Sequence, residues 1–256
     1  MHMTATGLPL SVIMIQVANP PLELYTSPKA FRPNPTTVRF ARTVRIKEGD
    51  IVFDIGTGIG PLAIKAAMDG ARHVYGVDPV PMHCELARMN AAKYGMENRI
   101  STYDGCLFEP FETESELRGL KADVIIGDVS GIADPVARAL GWYSDEVPTG
   151  GEDGTDVIIE LIRKSTAYLA RGGCMYFPIA VDLSDSDKIL NAARECYAEL
   201  VNAMDRPTTQ FPMSPQEMQA IENTYGSRRP SYINIQSPES HRPFWRGQIW
   251  KASQPR

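Results

Sequence analysis

Three aspartates, Asp54, Asp78 and Asp104, each close a short apolar run, and a glycine turn, Gly56-Thr57-Gly58-Ile59-Gly60, lies between the first two. The dinucleotide fingerprint G-x-G-x-x-G carries its third glycine one residue later than this G-x-G-x-G turn does. A carboxylate two residues ahead of the first glycine faces a pyrophosphate badly and suits a cation such as an α-ammonium or a sulfonium. Asp78, in "GVDP", can accept from ribose hydroxyls. Asp104, in "YDG", can accept from the exocyclic amine of adenine, helped by backbone groups of Gly105 and Cys106. Any one of these acids alone reads as an ordinary turn residue. Three in register with a glycine turn address ammonium, ribose and adenine together, which points to S-adenosylmethionine, a nicotinamide or flavin cofactor being the remaining reading. The cofactor-binding set is then Asp54, Gly56, Thr57, Gly58, Gly60, Asp78, Pro79, Asp104 and Gly105.

Such residues need strand ends to hold them. The runs Ile51–Ile55, His73–Val77, Arg99–Tyr103, Val124–Ile126 and Cys174–Phe177 are short and apolar enough for buried parallel strands. Between them lie helical patterns. Pro61 sits at a helix N1 position with Gly70 as the stop, and Leu86, Met89, Asn90 and Lys93 mark a second helix closed by Gly95. Ile158, Leu161, Ile162, Ser165 and Leu169 share a face that Gly172 and Gly173 end; Ile189, Ala193, Cys196 and Leu200 mark a fourth helix. The alternation predicts an α/β fold, a doubly wound and mostly parallel sheet with ligands at the strands' carboxyl ends. Residues 19–37 read as a proline-rich loop or lid, with Thr36 or Thr37 capping a short helix through Thr43. The apolar stretch from Leu8 to Val17 reads as a strand or helix. After residue 203, Ser214 to Asn223 looks helical, while "SYINI" and "FWRGQIW" look like strands of an antiparallel C-terminal edge. The expected division is an N-terminal lid or extension over 1–45 and a ligand-binding domain over 46–256, with an insertion at about 205–243.

"DIGTGIGPLAI", "GVDP", "YDG" and "VPTGGEDGTDVIIELIRKSTAYLARGG" resemble the class I S-adenosylmethionine-dependent methyltransferases. The resemblance is to the small-domain branch that includes the release-factor glutamine N5-methyltransferases, and it spans roughly residues 25–180. It implies a Rossmann-like methyltransferase fold. That branch ends its fourth strand in [ND]-P-P-Y, where a polar side chain and a carbonyl bind a planar nitrogen under an aromatic ring. Here the strand runs into Asp128-Val129-Ser130-Gly131, keeping the acid and losing the prolines and the aromatic. Asp128 and Ser130, two apart on an extended chain, would point the same way and are the candidate catalytic pair. The acid would orient or deprotonate an amine and the hydroxyl would supply a hydrogen bond, positioning being the larger contribution. The other reading makes Asp128 a turn cap and Ser130 a solvated hydroxyl. Trp142 and Tyr143 either line a pocket or pack; Tyr25, Phe31 and Arg32 are lid candidates. Arg228, Arg229, His241 and Arg242 are a solvated surface or an anion site.

The leading function is transfer of methyl from S-adenosylmethionine to a small molecule or an unidentified side chain. The altered loop also allows the cofactor to be its own substrate, releasing methylthioadenosine, as in azetidine-2-carboxylate synthases. A third reading is a non-catalytic cofactor-binding module. A net charge of −5 argues against nucleic acid as partner, and no apolar stretch approaches the roughly 18 residues of a membrane span. Scattered Cys84, Cys106, Cys174 and Cys196 make no metal motif and fit reduced thiols in a cytoplasmic protein. Oligomeric state has no sequence signal. Met3 reads as the native start, with Met1 and His2 an addition.

Overall fold

The computed structural model describes residues 10–142, 149–238 and 242–256. Met1 to Met3, Leu8, Tyr143 and His241, each singled out above, lie outside the described residues. By internal contacts the chain forms two units, one running through Asp128 together with Ala167–Tyr176, the other Val129–Thr166 together with Phe177–Arg256.

In the first unit the elements are β1 (Ser11–Ile15), β2 (Leu22–Thr26), α1 (Pro35–Thr43), β3 (Ile51–Ile55), α2 (Pro61–Met68), β4 (His73–Asp78), α3 (Pro81–Lys93), β5 (Ile100–Asp104), α4 (Glu109–Thr113) and β6 (Ala122–Gly127). β7 (Leu169–Ala180) starts here and continues into the second unit. Every residue of β3 is buried, as expected of a strand covered on both faces. The parallel order is β5-β4-β3-β6-β7. The chain winds outward from β3 to β5, then returns to the other side of β3 as β6. The carboxyl ends of β3 and β6 therefore flank the switch point, where this fold leaves a crevice. β1 and β2 form a separate antiparallel pair.

The second unit holds α5 (Asp134–Ala139), α6 (Asp156–Ser165), α7 (Ser186–Cys196), β8 (Tyr197–Asn202), β9 (Thr209–Pro212), α8 (Pro215–Tyr225) and β10 (Phe244–Pro255). β10 pairs antiparallel with both β8 and β9, which gives the expected antiparallel C-terminal edge. Its core gathers Val136, Leu183, Phe211, Met213, Ile221 and Trp245, and Trp142 packs against them with its ring 6.3 Å from that of Trp245. Packing is thus the role of Trp142. Gly154, at φ +78°, could not carry a side chain, since a Cβ would stand 2.6 Å from the amide nitrogen of Ala133. This close approach explains the glycine-rich run that opens α6.

Several expected boundaries move. The third helix ends at Ser165, whose hydroxyl folds back on the Ile162 carbonyl, and Leu169 already pairs with Ala122 in β7. Gly172 and Gly173 make an irregularity inside that strand, not a helix stop: Ala122 pairs Leu169 while Val124 pairs Cys174, and a Cβ on Gly173 would meet the Ala122 carbonyl at 2.8 Å. The fourth helix ends at Cys196, and Leu200 lies in β8 opposite Ala252. Residues 19–37 include the strand β2, and the cap of α1 is Asn34, whose Oδ1 accepts from the amides of Thr36 and Thr37. "SYINI" is not a strand: the Asn234 amide is drawn to the Asp182 carbonyl, and only Gln236 bridges Phe244.

Asp182 is the main polar anchor of the second unit. Fully buried, it accepts from the Arg246 backbone amide at 2.7 Å, from Nε at 2.9 Å and from Nη2 at 2.6 Å. Asp182→Ala leaves three donors without their acceptor and should cost about 3 kcal/mol in urea unfolding. A loss under about 1 kcal/mol would mean that water replaces the carboxylate. Among the described residues no helix is long and apolar enough to cross a membrane.

Candidate cofactor and acceptor site

Four strand ends of the first unit each deliver an aspartate. Asp54 is the penultimate residue of β3, Asp78 and Asp104 end β4 and β5 and face each other in register, and Asp128 follows β6 directly. Parallel pairing alone brings these acids together, because each crossover helix returns the chain to the same edge.

Asp54 is fully buried. Its Oδ2 accepts from Thr57 Oγ1 at 2.8 Å, while Oδ1 is buried without a hydrogen-bond partner among the described residues. Burial pushes this carboxyl up to about 7, the Thr57 hydroxyl and the nearby Ala63 amide opposing that rise and the charges of Asp128 and Asp78 adding to it. Thr57 reaches Asp54 by lying over β4 at Gly76, where a Cβ would stand 2.9 Å from its Oγ1. The turn is pinned from below, with the amides of Gly56 and Thr57 both donating to the Val77 carbonyl. Gly60, at φ +88°, caps α2 and sits against α3, a Cβ there coming within 3.1 Å of Ala87 Cβ. Gly56 and Gly58 are the partly exposed residues of the turn, and nothing lies within 4 Å of a Cβ position on Gly58.

Asp78 is buried and already engaged. Its Oδ2 accepts from the Gly58 amide at 2.9 Å, and Oδ1 accepts from the Val80 amide at 3.0 Å and lies 2.9 Å from His83 Nδ1. A carboxylate offers about four acceptor positions, so one remains for a ligand hydroxyl, not two. Asp104 is exposed. The amide of Gly105 donates to the Asp78 carbonyl at 3.1 Å and that of Cys106 to Glu109 Oε2 at 3.1 Å, so neither N–H is open toward a base. Pro79 is exposed beside Asp78.

Asp128 is half-buried, and Thr37 of α1 donates to its Oδ2 at 2.8 Å. Burial raises its carboxyl to about 6, with the Thr37 hydroxyl opposing. Ser130 is half-buried and belongs to the second unit, as do the exposed Arg228, Arg229 and Arg242. Sequence reasoning missed Thr37 as a site residue and missed His83 altogether. The nearest signals were the Asn-Pro-Thr-Thr helix start and a histidine five residues after Asp78.

An orphaned buried carboxylate oxygen fits an ammonium, and the open turn at Gly58 fits close approach of a ligand backbone. With the parallel sheet and switch point, these features are those of the class I S-adenosylmethionine-dependent methyltransferase fold. The chain belongs to the ribosomal protein L11 methyltransferase (PrmA) family, whose model matches residues 36–167. Over 146 residues it is 38% identical to the ribosomal protein L11 methyltransferase of Caldanaerobacter subterraneus subsp. tengcongensis, covering 57% of this chain and 43% of that one. Over 158 residues it is 30% identical to the release factor glutamine methyltransferase of Moorella thermoacetica, covering 59% and 53%. The chain thus spans about half the length of these curated relatives. The fold is also that of a ribosomal protein L11 methylase from Lactobacillus delbrueckii subsp. bulgaricus, at a TM-score of 0.52 and 18% identity over 89% of this chain and 84% of that one. A Thermus thermophilus 16S rRNA N2 G1207 methyltransferase, solved with AdoMet and guanosine, matches at a TM-score of 0.61 and 13% identity, over 96% and 50%. These two show the fold alone.

The comparisons correct one expectation. A small-molecule acceptor does not stand, because the family and the curated relatives are named for protein acceptors, ribosomal protein L11 or a release factor glutamine. Those relatives are methyltransferases, so transfer is carried forward, and neither cyclisation of the cofactor nor a purely non-catalytic module is.

Proposed function

We propose that this chain methylates a nitrogen of a protein, with an amine as acceptor. The observation that carries the reading is the pair of neighbouring strand-end acids, Asp54 and Asp128, each held by one threonine hydroxyl and each raised toward neutrality by burial. S-adenosylmethionine supplies the methyl group. Asp54 holds the ammonium through its orphaned oxygen, Asp78 accepts one ribose hydroxyl, and exposed Asp104 takes the adenine amine. Gly56, Thr57, Gly58 and Gly60 shape the turn that the ligand lies against, with Pro79 and Gly105 at its rim. Asp128, anchored by Thr37, would accept an N–H of the acceptor and take its proton as the new N–C bond forms and the methyl–sulfur bond breaks. Without the two prolines and the aromatic, the loop lacks the clamp for a planar amide, which favours an amine over a glutamine. Cys84, Cys106, Cys174 and Cys196 form no disulfide among the described residues, which fits a reducing cytoplasm.

The test is incubation with S-adenosylmethionine and purified ribosomal protein L11, beside a glutamine-containing release-factor peptide, with mass spectrometry of protein and nucleoside. Methylated L11 and S-adenosylhomocysteine in equal amounts are expected. Methylation of the glutamine peptide would overturn the amine reading, and methylthioadenosine would overturn methyl transfer itself.

A further inference from the structure

One face of α3 carries polar side chains that serve the N-terminal segment. His83 and Asn90 on the helix and Tyr94 at its C-cap stand at i, i+7 and i+11, on one side. Tyr94 hydroxyl accepts from the Glu23 amide at 2.7 Å. Asn90 behaves as a strand would: its Oδ1 accepts from the Tyr25 amide at 2.7 Å and its Nδ2 donates to the Tyr25 carbonyl at 3.0 Å. His83 Nε2 accepts from the Phe31 amide at 3.0 Å. Satisfying the edge of a two-stranded sheet explains Tyr94. It does not explain the other two, because each also holds part of the cofactor site. Asn90 Nδ2 donates to the Ile59 carbonyl in the glycine turn at 2.9 Å, and His83 Nδ1 meets Asp78 Oδ1 at 2.9 Å.

The histidine's protonation state follows from its partners. A backbone amide can only donate, so Nε2 carries the lone pair and Nδ1 carries the proton, given to Asp78. One neutral, buried imidazole therefore joins the ribose acid to Phe31. The chain from Phe31 to α1 is short and stiff, Arg32-Pro33-Asn34-Pro35, with both prolines fixing φ and Asn34 capping the helix. That helix places Thr37 on Asp128.

We propose that His83 and Asn90 are positioning residues that make cofactor binding and docking of residues 22–37 a single equilibrium, so that filling the donor site sets Thr37 against the acceptor acid Asp128. The inference rests on the reading of Asp78 as the ribose acid. Linkage is reciprocal: a ligand that orders Asp78 and the glycine turn strengthens the hold on Phe31 and Tyr25, and loss of that hold weakens the ligand by the same factor.

The experiment uses the full chain and S-adenosylhomocysteine as probe, with hydrogen exchange at the Tyr25 and Phe31 amides and calorimetric affinity as readouts. In the unaltered protein, saturating ligand should slow exchange at both amides by about tenfold or more, the size of a typical coupling. His83→Leu should abolish that gain at Phe31 and weaken binding about tenfold. His83→Gln, which keeps one donor and one acceptor, should retain both within about threefold. Phe31→Pro, which deletes the donor and leaves Asp78, His83 and the glycine turn unaltered in sequence, should weaken binding as His83→Leu does, and decides the matter if the leucine variant does not fold. Unchanged coupling in His83→Leu, or unchanged affinity in Phe31→Pro, overturns the proposal. Asp78→Asn separates it from the ribose reading: full affinity there removes the ribose role, while the exchange data still judge the coupling.

Discussion

Asparagine at position 54 should weaken S-adenosylhomocysteine binding at pH 8 by roughly 100-fold, yet raise the melting temperature of the ligand-free protein at that pH. On the proposed ammonium role, the loss follows from removing a charge whose unpartnered oxygen would meet the cation, at the upper end for a hydrogen bond to a charged group. The gain follows from linkage. Asp54 titrates at about 7 in the folded protein against an ordinary 3.8, so the folded state binds the extra proton. The stability this contributes is full below about pH 4 and is lost as pH rises through 7, on the order of 4 kcal/mol in all. Asparagine carries no such dependence. The same sign governs the ligand. An ammonium needs the carboxylate, so affinity in the unaltered protein should climb about tenfold per pH unit between about pH 5 and 7 and level off above. Calorimetry across that range checks it. An affinity independent of pH, or an Asp54→Asn protein that binds normally, would remove Asp54 from the ammonium site. The site is then a place where the fold gives up stability for function.

Asp128→Asn should lower turnover by about 100-fold while changing S-adenosylhomocysteine affinity less than threefold, the signature of a group that meets the acceptor only. Thr37→Val, which leaves the acid but frees it to move, should cost about tenfold in turnover. In the proposed role the carboxylate form is the working one, and burial raises its pKa to about 6, so activity of the unaltered protein should fall as pH drops through 6. The asparagine variant should lose that limb of the profile along with the rate. Initial rates of S-adenosylhomocysteine release against pH make the measurement. Equal turnover, or equal losses of affinity and turnover, would show that Asp128 is a structural cap.

Strand positions were the most legible feature of the chain. β3 was read to the residue because it is a fully buried apolar run around one acid, and β4 and β5 within one because each ends in an aspartate, while β6 and β7 run past their expected bounds at both ends. Short or irregular pieces were not: α4, α5, β8 and β9 carry too few turns or alternations to rise above the background. The glycines at 172 and 173 misled because a helix stop and a strand irregularity use the same residue for different reasons: here Gly172 takes a positive φ and Gly173 lets the backbone approach closely.

The sequence by itself pointed to the class of ligand, since three acids and a glycine turn at strand-end spacing suit the ammonium, ribose and amine of S-adenosylmethionine better than a dinucleotide, and the family bears that cofactor out. It also determined that the loop after β6 departs from the clamp for a planar amide. Only the tertiary structure decided how those groups are charged and held. The rise of Asp54 and Asp128 toward neutrality comes from burial, against the opposing pull of each threonine hydroxyl, and burial is a property of what packs overhead. The bond from Thr37 to Asp128 spans 91 residues, that from Phe31 to His83 spans 52, and no local period encodes either. Hydrogen bonds of that reach exist only once a hydrophobic sheet has brought distant segments to one edge, so they are consequences of the fold that the chain's chemistry then uses.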